Sequence, residues 1–400
     1  MIRMYKRDKF ELLKPLVKQL TAKYLLTRRY IDVEKYVLKQ PIPVSFYKKE
    51  LVSLYYSKVP FYDLPRDYTL HPVQNISNYA IEIKKANVIG ASNLIILSKK
   101  YVLYDLKFWD KNNSIDHSDE AIKYQKNNFC VLDNIISDDF FSEAIVLCGN
   151  YSSNYYHFLI EIISKFQLLN QLNICKNIPL LVDFVCLKQP NYRQLINYFN
   201  IHERKILSVE KNKIYSIGKL YHISCPNIIP PNYFKICSIK ASDNLFNLSS
   251  LAYLRDRLLK IKGKVGTSKK VFISRKNSGR RRTYNEEEVS VLLQKFGFEM
   301  LCPEDYTISE QVYIFNNADF IIGATGAAFT NLLFCNKTCK AICLTNFPIQ
   351  VSIFSTIALF VGLDLTYLYD KTLVLEETSD LHTAFKIDLN TLENLIEQKL

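Results

Sequence analysis

Glycine is scarce in this chain, 10 residues in 400, where an ordinary protein spends about 7% of its length on it. Six of the ten (Gly263, Gly266, Gly279, Gly297, Gly323 and Gly326) fall in one 64-residue window. Scarce glycine gathered in one place marks backbone that must turn tightly or come close to a ligand. Long apolar runs are missing too: the longest, Ile357 to Leu363, covers seven residues, against the roughly 20 a spanning helix needs. Nor does Met1–Tyr24 read as a secretory signal, since Lys6, Arg7, Asp8, Lys9 and Glu11 interrupt any apolar h-region. The expectation is a soluble protein of the cytosol. No cysteine precedes Cys130 and no CxxC pair occurs among the ten, so they read as reduced thiols, many of them buried. Cys335, Cys339 and Cys343 lie four apart without a nearby histidine, which argues against a metal site there.

What is present sets the class. Four hundred residues favour two domains, and 48% apolar with 23% charged residues is a globular balance. Lys and Arg total 52 against 39 Asp and Glu, a net charge of +13. That excess suits an anionic partner: nucleic acid, an anionic membrane face or a phosphorylated small molecule.

Phe10, Leu13, Val17, Leu20 and Tyr24 recur at spacings of three or four, predicting helix over residues 1 to about 60. Pro15 weakens its start. Its basic face (Lys9, Lys14, Lys18, Lys23, Arg28, Arg29) is either solvated or a peripheral contact with an anionic leaflet on the inner side of the membrane. From Asn78 to Trp109 the period falls to two, which predicts an antiparallel meander, and Lys111–Asn128 reads as polar loop. Strands at Ala144–Leu147, Leu180–Val185 and Lys219–Ile223 then alternate with helices at Tyr156–Leu172 and Tyr192–Phe199. Pro226, Pro230 and Pro231 punctuate the chain, followed by a helix at Leu245–Ile261 and a basic connector, Lys262–Lys269. Beyond it, strands at Lys270–Ser274, Glu299–Leu301, Phe320–Ile322 and Lys340–Leu344 alternate with helices at Asn285–Phe296, Ser309–Asn316 and Ala328–Phe334, and a last helix spans Leu389–Leu400. Alternation of this kind implies parallel strands, right-handed crossovers and a doubly wound α/β fold. The expected organisation is a basic helical extension over residues 1–75, a meander plus α/β domain over 76–245, and a second α/β domain over 246–400.

Three clusters could carry chemistry. Strand Lys270–Ser274 runs into a loop with five cations in eight residues (Arg275, Lys276, Arg280, Arg281, Arg282). Ligands bind beyond the carboxyl ends of strands in open α/β sheets, and guanidinium forks match phosphate oxygens in pairs; the other reading is a solvated basic loop. Asn285 then resembles an N-cap, and Glu286 is either an ordinary first-turn acid or a partner for a ribose hydroxyl. The second cluster, Asp319 to Asn331, takes a buried strand through Gly323, Thr325 and Gly326 into a helix, where small side chains let an anion reach backbone N–H groups. Tight strand–helix packing could demand the same residues. In the third, Gly149 to Glu161, His157 and Glu161 share a helical face, so the carboxylate could orient the imidazole as a general base; a structural histidine is the competing reading. Absent are two aspartates two residues apart, HExxH and GxSxG, and any zinc-finger or helix-turn-helix pattern.

In order and spacing, Asn154-Tyr155-Tyr156-His157-Phe158-Leu159-Ile160-Glu161, Ile273-Ser274-Arg275 with Arg281-Arg282 and Asn285-Glu286, and Gly323-Ala324-Thr325-Gly326-Ala327-Ala328 through Asn331-Leu332-Leu333-Phe334-Cys335 resemble glycosyltransferase family 61 over roughly residues 80–345. The resemblance implies a GT-B-like α/β fold, two Rossmann-like domains facing a cleft, with the helical and antiparallel β extension added at the N-terminus. It implies inverting, metal-independent transfer from a nucleoside-diphosphate sugar, UDP-linked by expectation, to a glycan or lipid-linked glycan acceptor, as in bacterial capsule and surface-polysaccharide synthesis. No cofactor beyond that co-substrate is expected. Carried onto this chain, it implies donor contacts by Ser274, Arg275, Arg281, Arg282 and Glu286 and diphosphate contacts by Gly323, Thr325, Gly326, Ala327, Ala328 and Asn331. Asn154, Tyr155 and Tyr156 fall on the acceptor side beside the catalytic pair His157 and Glu161. Many members carry histidine between the two glycines where this chain has Thr325. The alternative is a non-enzymatic basic module that binds nucleic acid or an anionic polymer, with 27 Tyr and 24 Phe supplying stacking surfaces.

Overall fold

The computed structural model describes residues 27–32, 44–98, 101–108, 115–116, 121–126, 128–132, 135–266, 268–277 and 282–400. Two sheets organise them. The larger has eleven strands: β1 (Thr27–Ile31), β2 (Val44–Tyr56), β3 (His71–Ile89), β4 (Ile95–Ile96), β5 (Tyr101–Leu103), β6 (Ile122–Lys126), β7 (Phe129–Leu132), β8 (Ile135–Val146), β9 (Leu180–Asp183), β10 (Ile206–Val209) and β11 (Lys213–Ile223). Strands β10, β9, β8 and β11 lie side by side and parallel. The connections from β8 to β9 and from β9 to β10 are helical, as parallel pairing requires. Helix α1, between β8 and β9, is composite: an α turn (Tyr155–His157), a π turn (Phe158–Ile162), a 3₁₀ turn (Ile163–Lys165) and a final α segment (Phe166–Leu169). Helices α2 (Phe184–Lys188) and α3 (Pro190–Phe199) join β9 to β10. Beyond β11 the sheet turns antiparallel through β3, β4 and β5, and β2 pairs with β3 off the main path.

Helix α4 (Leu248–Leu258) leads into the second sheet, whose strands are β12 (Lys270–Ile273), β13 (Glu299–Leu301), β14 (Phe320–Ala324), β15 (Lys340–Thr345) and β16 (Asp364–Tyr369). All pair in parallel, in the order β13-β12-β14-β15-β16. Between them run α5 (Glu286–Lys295), α6 (Ile308–Asn317), a 3₁₀ helix (Ala327–Phe334) and α7 (Ile353–Val361); α8 (Leu389–Lys399) closes the chain. Period-two alternation divides the side chains of β12. Val271 and Ile273 join a core shared with α1 and the first sheet, while Phe272 meets Val289 and Leu293 of α5 and Ile396 of α8 on the far face. One continuous apolar core thus joins both halves.

The segment between β2 and β3 runs along the edge of the second sheet. Tyr62 N–H donates to Tyr367 O (3.0 Å) and Tyr367 N–H to Pro60 O (2.9 Å). Nearby, Arg66 Nη1 meets Asp364 Oδ1 at 2.6 Å, and the buried Lys399 ammonium bonds the other carboxylate oxygen. Burial pushes the Asp364 carboxyl up, but Lys399 and Arg66 outweigh it and hold it below the usual range. A carboxyl depressed in the folded state stabilises above its unfolded pKa, and that contribution is lost as pH falls through the folded value. Asp364→Asn should therefore destabilise by about 1–3 kcal/mol near pH 7, because it strands a buried ammonium, discounted for the partial exposure of Asp364. The deficit should shrink in acid-side denaturant titrations.

The meander over residues 78–103, strands β12 to β15 of the second sheet and the C-terminal helix match the sequence reading, which did not include α7 and β16. Three expectations change. Residues 27–31 and 44–56 form strands β1 and β2, not helix: in β2, Val44, Phe46, Val52 and Leu54 turn inward while Ser45, Tyr47 and Leu51 are exposed, the period of a pleat. Ile122–Lys126, expected as loop, pairs with β7. The helix expected at Ala328–Phe334 is 3₁₀. The stripe from Phe10 to Tyr24 lies outside the described residues.

Candidate active site

The order in which strands are added to the second sheet reverses between β12 and β14, because β12 has its successor β13 on one side and β14 on the other. In open α/β sheets the crevice beyond the carboxyl ends at such a point is where ligands settle. Ser274 and Arg275 leave β12 there, and Thr325 leaves β14. Gly323 lets the two strands meet: a Cβ on it would fall 2.8 Å from Ile273 Cβ and 2.9 Å from Ile273 O.

Glu286, in the first turn of α5, accepts from Ser274 Oγ (2.6 Å) and from Arg275 N–H (2.8 Å) through one oxygen. It pins the strand end and so aims the Arg275 side chain. Arg275 Nη1 donates to Thr325 O at 2.9 Å, and Arg282 Nη1 reaches the same carbonyl at 3.5 Å. Two guanidiniums thus converge on one oxygen. Burial lowers the pKa of both, and the charge of Arg275 lowers that of Arg282 further; neither loses its proton at working pH. Arg282 also sits at φ 56°, a left-handed conformation that costs any residue with a Cβ about 1–2 kcal/mol and is found where the surroundings over-determine the backbone. Gly326 makes the room: a Cβ there would lie 2.9 Å from Arg275 Nη1. Gly326, Ala327 and Ala328 are half-buried at the start of the 3₁₀ helix, where first-turn N–H groups lack intrahelical acceptors. Fixed cations beside unbonded first-turn N–H groups are a chemistry that can hold an anion.

Some expected contributors do other work. Thr325 gives its carbonyl to the arginines, and its hydroxyl engages the buried Cys343 thiol. Asn331 is fully buried, with its Nδ2 on Gln311 Oε1 (2.9 Å) and its Oδ1 accepting from Tyr155 OH (2.7 Å). That leaves the 326–328 backbone, not the Asn331 amide, to meet an anion. Asn285 occupies the N-cap position but makes no capping bond; its amide ties Ile387 of the C-terminal segment instead. Arg281 lies outside the described residues.

The third cluster follows β8. Gly149 and Ala91 N–H groups both donate to Asp183 at the end of β9, clamping two loops together; burial raises that carboxyl while the two amides pull it back. Tyr151 turns the chain at φ 58°, and Asn154 caps α1 by accepting from Tyr156 N–H at 3.0 Å. His157 Nδ1 bonds Glu161 Oε2. With a carboxylate as acceptor, Nδ1 carries the proton and Nε2 keeps its lone pair, the arrangement of an oriented general base. The pair spans the π turn, an irregularity found often at functional sites. Asn227 Nδ2 and Ser164 Oγ both bond Ile160 O, satisfying that carbonyl of the π turn. Tyr155 bonds Asn331, and Tyr156 packs edge-on against Phe354 (6.2 Å). Both therefore join the His157 turn to the second half. Asp183, at the end of an apolar strand, was missed in the sequence; its only signal is a lone acid at a strand terminus.

The parallel sheet brings paired arginines to the point where its strand order reverses, and the Tyr155–Asn331 bond joins it to the His157–Glu161 pair on the other half. The sequence model of the family described as Glycosyltransferase 61 matches residues 155–342, from the His157 turn through the loops after β12 and β14 into β15. Residues 155–342 are a glycosyltransferase family 61 domain, and glycosyl transfer is the activity that membership implies. No curated protein matches the chain. No helix among the described residues is long and apolar enough to cross a membrane.

Proposed function

We propose that the protein transfers a sugar, with inversion, from a nucleoside-diphosphate donor to a glycan or lipid-linked glycan acceptor, without a divalent metal. The observation that carries this reading is the convergence of Arg275 and Arg282 on Thr325 O beside the Gly326–Ala328 backbone. Two fixed cations with first-turn amides suit a diphosphate, whose charge grows as it leaves. The acceptor hydroxyl gives its proton to His157 Nε2 as its oxygen bonds the anomeric carbon; the bond from that carbon to the diphosphate breaks on the opposite face, and Glu161 steadies the imidazolium. In this reading Arg275 and Arg282 take the charge-neutralising role that a divalent metal would otherwise fill. Two α/β halves, one bearing the base and one the cradle, support a GT-B-like arrangement. The net charge of +13 supports work at an anionic membrane face, and surface-polysaccharide synthesis by UDP-sugars is the setting we assign. Nucleic acid is no part of this reading, because the arginines line a crevice and not a groove-tracking stripe.

The test is nucleotide release from a panel of UDP-, GDP- and CMP-sugars with glycan acceptors in EDTA. Activity should persist; complete loss with rescue by manganese would contradict the metal-free step.

A further inference from the structure

Between α1 and the first sheet lies a cavity of about 290 Å³, which the donor cradle does not touch. Glu161 and Lys165, one turn apart on α1, line one side. His222 and Ser224, at the end of β11, line another, with Asp105 and Tyr79 between. Lys165 is 4% exposed and makes no hydrogen bond or ion pair among the described residues. It lines the cavity together with Asp105, Cys148 and Cys225, and its charge acts on all three. His222 is 5% exposed; Nε2 meets Asp105 Oδ2 at 3.1 Å, and Nδ1 has no partner. Burial without a partner is costly for a ring nitrogen, and the orphaned His222 Nδ1 facing the same space as the Lys165 side chain points to a ligand.

The charges select its class. Burial pushes the Asp105 carboxyl up, but His222, the Tyr79 phenol and Lys165 outweigh this and keep it ionised. Asp105 is tied to His222 and Tyr79, Glu161 to His157, and Asp32 has a partner of its own. Lys165 remains the one lining cation without a bonded carboxylate. One compensating negative charge fits; a phosphate dianion would bring excess charge beside Asp105 and Glu161. Thiol chemistry is excluded, since burial pushes Cys225 up to about 12 and Cys148 well above its ordinary value. The volume sits just below the range of about 300–1,000 Å³ for drug-sized ligands, room for one sugar ring and not for a nucleotide. Val88, Ile95 and Leu103 offer an apolar wall to ring C–H groups, opposite the polar side.

We propose that this cavity is an acceptor subsite for a single carboxylate-bearing sugar unit, its carboxylate on Lys165 and a ring hydroxyl on His222 Nδ1. The inference rests on reading the His157–Glu161 side as the acceptor side, since Glu161 forms part of the wall.

The test is isothermal titration of the full-length protein with methyl β-D-glucuronide, methyl β-D-glucoside and glucose 6-phosphate, with UDP as a separate titrant. The glucuronide should bind at least about tenfold tighter than either other sugar. Lys165→Met should weaken it by about 10- to 100-fold, the range of a charge-assisted hydrogen bond. The same variant should leave UDP affinity unchanged, which shows that it folds. Equal binding of glucuronide and glucoside, tighter binding of the phosphate, undiminished affinity in Lys165→Met, or no binding of any of the three would each overturn the subsite. Failure of UDP to bind, with the glucuronide result intact, would instead count against the donor reading.

Discussion

Alanine at Arg282 is expected to lower kcat/KM for the sugar donor by about 10²–10³-fold, the range for removing one preorganised donor to a developing oxyanion, while Tm stays the same or rises. Stability should survive for two reasons. Alanine meets the same left-handed backbone penalty at φ 56° that arginine already bears. Its removal also relieves Arg275 of a like charge aimed at the same carbonyl. Arg282→Lys should fall between, because an ammonium keeps the charge and loses the fork. Steady-state kinetics beside a thermal melt checks both halves; wild-type turnover in Arg282→Ala would free this residue of any role in the transition state.

His157→Ala should act on the other partner. We expect kcat to fall by about 10²–10⁴-fold, the usual worth of a positioned general base, with the affinity for nucleoside diphosphate unchanged. This variant also strands the buried Glu161 carboxylate, so a loss of about 1–3 kcal/mol in stability is expected alongside. The double variant His157→Ala/Glu161→Gln should recover much of that stability and none of the rate. That separation distinguishes a base from a histidine that merely packs, for which stability and rate would recover together.

Much of the second half was legible because strand–helix alternation reports a parallel sheet directly, and because glycine, used so sparingly, marked the two places where backbones approach. Gly323 lies against Ile273 and Gly326 against Arg275, both inside the window the composition singled out. The His157–Glu161 pair was legible from its spacing alone, although a spacing of four cannot reveal a π turn. Other roles depend on the far partner. Nothing local distinguishes Asn331 facing a phosphate from Asn331 accepting from Tyr155, 176 residues away in sequence. Glu286 reads the same whether it meets a ribose or clamps Ser274. Strand β2 was mistaken for helix because its Lys48-Lys49-Glu50 interruption obscures a period of two. Lys165 gave no signal, since its burial is set by sheet strands that the sequence places far from α1.

The most direct measurement is a calorimetric titration of UDP and of inorganic pyrophosphate into EDTA-treated protein, wild type beside Arg275→Ala/Arg282→Ala. The account predicts that both ligands bind the wild type without added metal and that the double variant loses at least about a hundredfold for each, roughly 3 kcal/mol. Affinity unchanged in the double variant, or binding by the wild type only after manganese is restored, would contradict it.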